Sequence, residues 1–326
     1  MHFLPVLVAF VVSLACLGVL LSPIGKRLML DRPNERSLHQ RPVSRSGGVA
    51  IAAGVAAAAV PASHGQSGLL AIAGALAVLS LLDDIFTLPT LLRLAAHLAA
   101  AAAAVGLVIG VADPLLFVPL LLAIAWYANL YNFMDGSDGL AGGMAVAGFA
   151  AYAWAAQQAG HASLAALCCS IAAASGAFLL VNFHPARLFM GDVGAVPLGF
   201  LAGALGVLGW HDGVWPLWFP ALVFAPFVGD ATLTLFKRML RRERFWQAHK
   251  DHYYQRLVRM GFGHRGTALV EYAAMGVCLL VALSFRATDA GAQAGALCAT
   301  TVGIAAAAVW VDRRWARFIV KEGRPA

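Results

Sequence analysis

The feature that most constrains this chain is a series of eleven apolar runs, at about 3–22, 47–63, 68–82, 94–112, 114–130, 139–157, 162–181, 194–209, 214–236, 267–285 and 291–311. A helix needs roughly 17–25 predominantly apolar residues to cross a bilayer, and lipid offers no partner to backbone groups outside helices or closed barrels. The expected fold is therefore all-α, a polytopic membrane protein with about eleven transmembrane helices. The runs at 68–82 and 194–209 are short, as tilted or partly re-entrant segments would be. Together the runs use most of the 326 residues, so 1–326 reads as a single integral membrane domain. Only 12% of the residues are charged, against about 25% in ordinary soluble domains.

Orientation follows from the basic residues. When loops are assigned alternately to the two sides, all of the 23 Lys and Arg except Arg286 fall on one side. Positive-inside loops then put the N-terminus in the periplasm and the C-terminus in the cytoplasm. The cytoplasmic loops lie at about 23–46, 83–93, 131–138, 182–193 and 237–266. The net charge of +7 is a topology signal, and with no basic, aromatic-interleaved face on a soluble domain, no nucleic-acid partner is expected. The first run lacks a basic start and its basic residues follow it, so it reads as a retained span. The cysteines, at 16, 168, 169, 278 and 298, sit inside apolar runs without metal-ligand spacing and read as small hydrophobes.

Polar chemistry gathers at the inner ends of these runs. In the stretch 129–141, Asn129, Asn132, Asp135 and Asp138 recur every third residue, which on a helix gives one drifting stripe of amides and carboxylates. Gly136 and Gly139 let backbone come close to whatever that stripe holds. Asp83 and Asp84 end the third run; neighbouring carboxylates face different ways on a helix, so one can meet a metal or phosphate while the other is held by a nearby group. Arg93 and His97 follow, one turn apart, with His97 expected to be a packed histidine.

The first inner loop offers Arg36, His39, Arg41 and Arg45, stiffened by Pro33 and Pro42 and closed by Gly47-Gly48 where a helix begins. Such a loop sets cations and helix-start N–H groups against phosphate oxygens. At 182–194, Arg187 and Phe189 precede Asp192, a lone carboxylate flanked by Gly191 and Gly194, an arrangement suited to a metal-bound phosphate. The ninth run holds Pro216, Pro220 and Pro226, so it is predicted to be broken, with room for a lipid-filled groove. Asp230 beyond it reads as an arginine's partner or as part of the site, the structural role being preferred. In the largest inner loop His249 and His252 stand at i and i+3, on one helical face. With neither HExxH spacing nor a third nitrogen or sulfur ligand they read as hydrogen-bond donors to phosphate, not as zinc ligands. His264 and Arg265 add to the same basic surface.

In order along the inner loops, DRPNERSLHQRP…GG, LLDD, NLYNFMDGSDGLAGG, RLFMGDVG and HKDHYYQRL resemble the motifs of the polyprenyl-phosphate N-acetylhexosamine-1-phosphate transferases, across about residues 1–320. The resemblance implies transfer of a sugar-1-phosphate from a UDP-N-acetylsugar to undecaprenyl phosphate with release of UMP. It implies Mg²⁺, with Mn²⁺ as a substitute, at a cytoplasmic-face site in a bacterial inner membrane, and a role in starting a surface polysaccharide such as O-antigen. The partners implied are those two substrates, the lipid bilayer and a second copy of the chain in a homodimer. Carried over by motif, the catalytic residues are Asp83, Asp84, Asp135, Asp138, His249 and His252. Substrate binding falls to Asn129, Asn132, Asp138, Phe189, Arg36, His39, Arg45, Arg93 and Arg187, with Phe189 matching the aromatic that stacks uracil and Asp138 the acid near the uridine. The metal falls first to Asp192, then to Asp83 or Asp84.

Two departures bear on the donor. HKDH and RPVSRSGG stand where the peptidoglycan branch carries three histidines and a Lys-x-Gly-Thr-Pro-Thr-Met-Gly-Gly loop, which disfavours the alternative, a phospho-MurNAc-pentapeptide transferase. The lysine that often follows the acidic pair is absent, leaving Arg93 nearby. The resemblance makes Asp83 the base, yet an acceptor phosphate with a second pKa near about 6 is already mostly dianionic, so Asp83 is expected to position more than to deprotonate. An ion-coupled transporter is the remaining reading; it would set ionisable groups near the midplane, often in paired half-repeats, whereas the five aspartates here share one boundary.

Overall fold

The computed structural model describes residues 3–25, 29–31, 43–59, 66–110, 113–244, 247 and 249–321. Each of the eleven apolar runs is helical over most of its described residues. The first eight form α1 (Phe3–Leu20), α2 (Gly47–Ala59), α3 (Ser67–Phe86), α4 (Thr90–Ile109), α5 (Pro114–Met134), α6 (Leu140–Gln158), α7 (Ala162–Asn182) and α8 (Asp192–His211). The ninth is divided into α9 (Phe219–Val223) and α10 (Ala225–Leu240); a short α11 (Tyr253–Leu257) precedes α12 (Gly263–Phe285) and α13 (Ala290–Lys321). Two-residue strands, β1 (Leu30–Asp31) and β2 (Val43–Ser44), pair antiparallel in the connection between α1 and α2. Among the described residues, eight helices are long and apolar enough to cross a membrane by length and composition. The expected eleven also drew on α2, which has 13 residues, on α6, which is not among the eight, and on the divided ninth run.

The two runs that looked short are helices of 20 residues each. Polar residues had hidden their ends: Asp83 and Asp84 continue α3, and Asp192 opens α8.

Prolines account for the break in the ninth run. Pro220 and Pro226 occupy the first turns of α9 and α10, where a missing N–H costs nothing, and Phe224 between them leaves helical geometry at φ −100°, ψ 17°. Its buried ring packs edge-on against Tyr127, Phe149 and Tyr152 at centroid distances of 5.9, 5.9 and 5.6 Å. Aromatic side chains thus fill the break where a lipid groove was expected. An apolar cavity of about 360 Å³ lies elsewhere, between α2, α3 and α8.

Helix α8 is buried nearly all round and runs antiparallel to α5 with backbones in contact. A Cβ on Gly199 would fall 2.3 Å from the Tyr127 carbonyl oxygen, and one on Gly203 3.0 Å from the Ile124 Cα. Small residues permit this approach, the usual packing device between membrane helices. Following the contact along both helices brings Asn132, near the end of α5, to Asp192, at the start of α8.

Candidate active site

Four helix ends meet around one guanidinium. Helix α3 stops at Thr87, whose φ of 52° reverses the chain and whose N–H returns to the Asp83 carbonyl; Pro89 then starts α4. Asp83 and Arg93 consequently face each other. Oδ1 of Asp83 accepts the Leu88 N–H at 2.7 Å and Oδ2 accepts Arg93 Nη1 at 2.9 Å. The same nitrogen lies 3.9 Å from Asp192 Oδ2, to which Asn132 Nδ2 donates at 3.4 Å. The Asp83 side chain is 10% exposed and that of Asp192 24%, so Asp192 is the more open to a ligand. Asp84 is exposed on another side of α3, as expected of adjacent carboxylates. One turn before Asn132, Asn129 donates to the Ala125 carbonyl at 2.7 Å and presents its Oδ1 to His97 Nδ1 at 3.3 Å, so His97 is a packed histidine tied to the site by an amide.

The glycines around Asp192 are required by close backbone. Gly191 has φ +70°, and a Cβ there would sit 2.5 Å from the Arg45 carbonyl oxygen; its N–H donates to Asp135 Oδ2 at 3.0 Å. A Cβ on Gly48 would fall 2.2 Å from the Gly194 nitrogen. This packing changes one expectation. The N–H groups of Gly47 and Gly48 donate to the carbonyls of Phe189 and Met190 at 2.9 and 2.8 Å, so these helix-start donors fasten the first inner loop to the Asp192 loop and are not aimed at a phosphate. Arg45 is carried into the same region, while Arg36 and His39 lie outside the described residues. Phe189 is half-buried and Arg187 exposed on the loop that leads to Asp192.

The stripe at 129–138 divides. Helix α5 ends at Met134 with Asp135 as its cap, and Gly139, at φ +75°, starts α6, so Asp138 leaves the helical stripe. Its Oδ2 accepts His184 Nδ1 at 2.6 Å and the Ala186 N–H at 3.1 Å, and His264 Nδ1 lies 3.7 Å from Oδ1. Asn182 holds the turn in place, accepting the Gly139 N–H and donating to the Leu188 carbonyl, both at 3.0 Å. Asn129 and Asn132 therefore serve the Asp83–Asp192 centre, while Asp138 serves a second centre with His184. His264, expected beside His249, belongs to this second centre.

The histidine segment docks on the end of α5. His252 caps α11 and does not share a helical face with His249, which precedes it in the loop, yet the rings stack at 4.9 Å. Asp230 organises the segment: Oδ1 accepts His252 Nδ1, the Tyr253 N–H and the Thr234 hydroxyl at 3.0, 3.0 and 3.1 Å, and Oδ2 accepts the Tyr254 N–H at 2.9 Å. Its partners among the described residues are a histidine, a threonine hydroxyl and backbone N–H groups, with no arginine among them. Tyr254 Oη donates to the Phe133 carbonyl at 3.1 Å and lies where a Cβ on Gly136 would come within 2.1 Å of it. Burial, His252 and the Arg238 cation push the His249 imidazole down to about 4. Arg256 donates to Asp312 at 2.8 Å and Lys237 also bonds Asp312, so these cations brace α11 and α10 against α13. Neither histidine is hydrogen-bonded to Asp83 or Asp192; the backbone at 133–136 joins them.

Sequence reasoning had assigned no role to Asn182, His184 or Asp312. Asn182 and His184 shared a loop with Phe189 and Asp192, which was a usable signal; Asp312 lies 56 residues from Arg256, and nothing local announced it.

Among the described residues, no three His, Cys, Asp or Glu side chains converge as a metal cage. Mg²⁺ does not ask for one, since it takes one or two protein carboxylates and completes its octahedron with phosphate and water. The carboxylates of Asp83 and Asp192 and the amide of Asn132 are hard oxygen donors around a place where a cation, Arg93, already stands. That donor set fits Mg²⁺.

Residues 66–209 match the family described as glycosyl transferase family 4. A probable undecaprenyl-phosphate N-acetylglucosaminyl 1-phosphate transferase of Bacillus subtilis (strain 168) is 30% identical over 293 residues, covering 82% of this chain and 81% of the relative. A decaprenyl-phosphate N-acetylglucosaminephosphotransferase of Mycolicibacterium smegmatis is 29% identical over 315 residues, covering 80% and 76%. A phospho-N-acetylmuramoyl-pentapeptide-transferase of Geobacillus thermodenitrificans is 41% identical, but over 89 residues, 27% of this chain and 28% of that one.

Proposed function

The chain belongs to glycosyl transferase family 4, and from that premise we propose that it transfers N-acetylhexosamine-1-phosphate from a UDP-sugar to a polyprenyl phosphate, releasing UMP. The observation that carries the reading is the meeting of Asp83, Arg93, Asn132 and Asp192 at one point, from four helix ends. N-acetylglucosamine is the preferred donor sugar, because the relatives matched over most of their length are named for it. Undecaprenyl phosphate is the preferred acceptor, by the name of the Bacillus relative. The start of a surface polysaccharide such as O-antigen, and a cytoplasmic-face site in a bacterial inner membrane, rest on the motif resemblance and the basic loops.

In the reaction an acceptor phosphate oxygen bonds to the β-phosphorus of the donor, the bridge between α- and β-phosphates breaks, and the electron pair leaves with UMP. A mostly dianionic acceptor needs little deprotonation. Both oxygens of Asp83 already accept hydrogen bonds, from the Leu88 N–H and from Arg93, so its carboxylate is engaged in positioning. Its role is to hold Arg93 at the phosphates, where the planar guanidinium can fork onto two oxygens. Asp192 and Asp83 would hold Mg²⁺, with Asn132 beside them, and the metal would neutralise charge on the diphosphate. Asp135 fixes the Gly191 backbone, and Asp138 with His184 forms the place for the uridine, with the Phe189 ring on the same loop. His249 and His252 are hydrogen-bonding groups on the far side of residues 133–136.

The test is purified protein with undecaprenyl phosphate, Mg²⁺ and a panel of UDP-N-acetylsugars, followed by UMP release. UMP from UDP-N-acetylglucosamine that requires the lipid phosphate is expected; UMP release that ignores the lipid phosphate contradicts the reading.

A further inference from the structure

We propose that the exposed basic face at the C-terminal end of α13 binds the anionic head groups of bilayer phospholipids, an assignment that does not draw on the transferase chemistry. Helix α13 has 32 residues, more than one bilayer crossing needs. Positions 290–309 hold no Asp, Glu, Lys or Arg and, at about 1.5 Å per residue, reach across roughly 30 Å of hydrocarbon. The exposed Trp310 then stands at the depth where aromatic rings gather. Beyond it the helix leaves the hydrocarbon on the side that carries Asp230 and the histidine segment.

The two faces of this end differ. Val311 packs with Tyr253 and Leu257, Asp312 takes Arg256 and Lys237, and the Arg259 guanidinium lies 4.6 Å over the Trp315 ring. That face is therefore committed to α10, α11 and the turn after α11. On the opposite face Arg314, Arg317 and Lys321 follow Trp310 at i+4, i+7 and i+11, with Arg313 alongside at i+3, and all four cations are exposed. Asp312 is the single acid of α13 and is held by the other face. Among the described residues no carboxylate pairs with Arg313, Arg314, Arg317 or Lys321. The Arg314 guanidinium lies 4.8 Å over the Trp310 ring, which keeps its charge at the interface.

Depth and charge select the occupant. Along the axis Arg313 and Arg314 stand about 5 Å, and Arg317 about 10 Å, beyond Trp310. The headgroup layer is roughly 5–8 Å deep on each side, and long basic side chains bend back toward it. Cations at these helical spacings repel one another, a cost that lipid phosphates relieve while drawing each charge to the surface. A second copy meeting this face across a two-fold axis would set the arginines against their own images.

Protein purified in detergent and given equal amounts of phosphatidylglycerol and phosphatidylcholine is read by native mass spectrometry for the lipid it retains. At low salt the unsubstituted chain is expected to retain phosphatidylglycerol about fivefold or more over phosphatidylcholine. The triple variant Arg313→Gln, Arg314→Gln, Arg317→Gln is expected to lose that preference with its melting temperature unchanged. The counterpart with three lysines keeps it, because a point charge suffices for phosphate, and so does Arg241→Gln with Arg242→Gln, which removes exposed cations at the end of α10. Should the triple variant not assemble, the unsubstituted protein decides: phosphatidylglycerol bearing a diazirine near its headgroup is expected to label α13 beyond position 303, and to be chased by phosphatidylglycerol and not by phosphatidylcholine. Equal retention of the two lipids, a preference lost as fully in the Arg241 and Arg242 pair, or labelling confined to other helices overturns the assignment. So does a dimer that forms only while the three arginines are present, which would give the face to a second copy.

Discussion

Arg93 Nη1 donates to Asp83 at 2.9 Å and stands 3.9 Å from Asp192, so one cation balances two carboxylates at the point where the donor's diphosphate is proposed to bind. Removing it has two effects of opposite sign. Arg93→Ala leaves the acids uncompensated, which strengthens the pull on a divalent cation, and removes a phosphate partner. The Mg²⁺ concentration for half-maximal activity is expected to fall several-fold while KM for the UDP-sugar rises about tenfold, read by steady-state titration of each. Arg93→Lys restores the first effect more fully than the second.

Asp192→Asn is expected to lower UMP release by about a thousandfold or more, with the melting temperature in detergent within a few degrees of the unsubstituted protein. The side chain is partly exposed and, among the described residues, receives a long hydrogen bond from Asn132 and a distant contact from Arg93, so its loss costs little stability. Near-normal activity would remove Asp192 from the metal role.

The opposite balance holds at Asp230, whose carboxylate is buried and accepts four hydrogen bonds from the histidine segment and Thr234. Asp230→Ala strands those donors, at a cost of about 3 kcal/mol or more. The expected result is a lower melting temperature and faster proteolysis within 241–252, both measurable before any assay of activity.

Gly136 couples the two halves of the site. A Cβ there lies 2.1 Å from Tyr254 Oη, so Gly136→Ala is expected to cost about 1–3 kcal/mol by overpacking. Tyr254→Phe removes the obstructing oxygen, and the double variant is expected to be more stable and more active than the sum of the single changes predicts, as a double-mutant cycle on melting temperature and kcat would read.

His249 gives the pH dependence. Its folded value of about 4 lies below its ordinary 6.5, so between those values the unfolded chain binds a proton that the folded chain does not. Stability contributed by this residue is therefore full above about 6.5 and declines as pH falls toward 4. Replacing His249 by Gln is expected to flatten the fall in melting temperature between pH 6.5 and 4.5.

Much of this was legible before the structure, because membrane helices announce themselves by length and apolarity. Proline spacing foretold the break in the ninth run, although not that Phe224 would fill it. Asp192 stood out through Gly191 and Gly194, whose backbones are indeed pressed against Arg45 and Gly48. Less legible was anything fixed by where a helix stops. The stripe from Asn129 to Asp138 assumed that α5 continues, whereas it ends at Met134 and the turn sends Asp138 to His184. The contact between Tyr254 and Gly136, like that between Asp312 and Arg256, joins residues far apart in sequence, and no local pattern encodes it.

The account rests on transfer of the sugar together with its phosphate. The most direct measurement supplies UDP-N-acetylglucosamine labelled with ³²P at the β-phosphate, together with undecaprenyl phosphate and Mg²⁺, and follows the label between the lipid and aqueous phases. The predicted result is one β-phosphate in the lipid product for each UMP released, with both lost in Asp192→Asn. Label that stays in water as UDP, with sugar alone on the lipid, would contradict it.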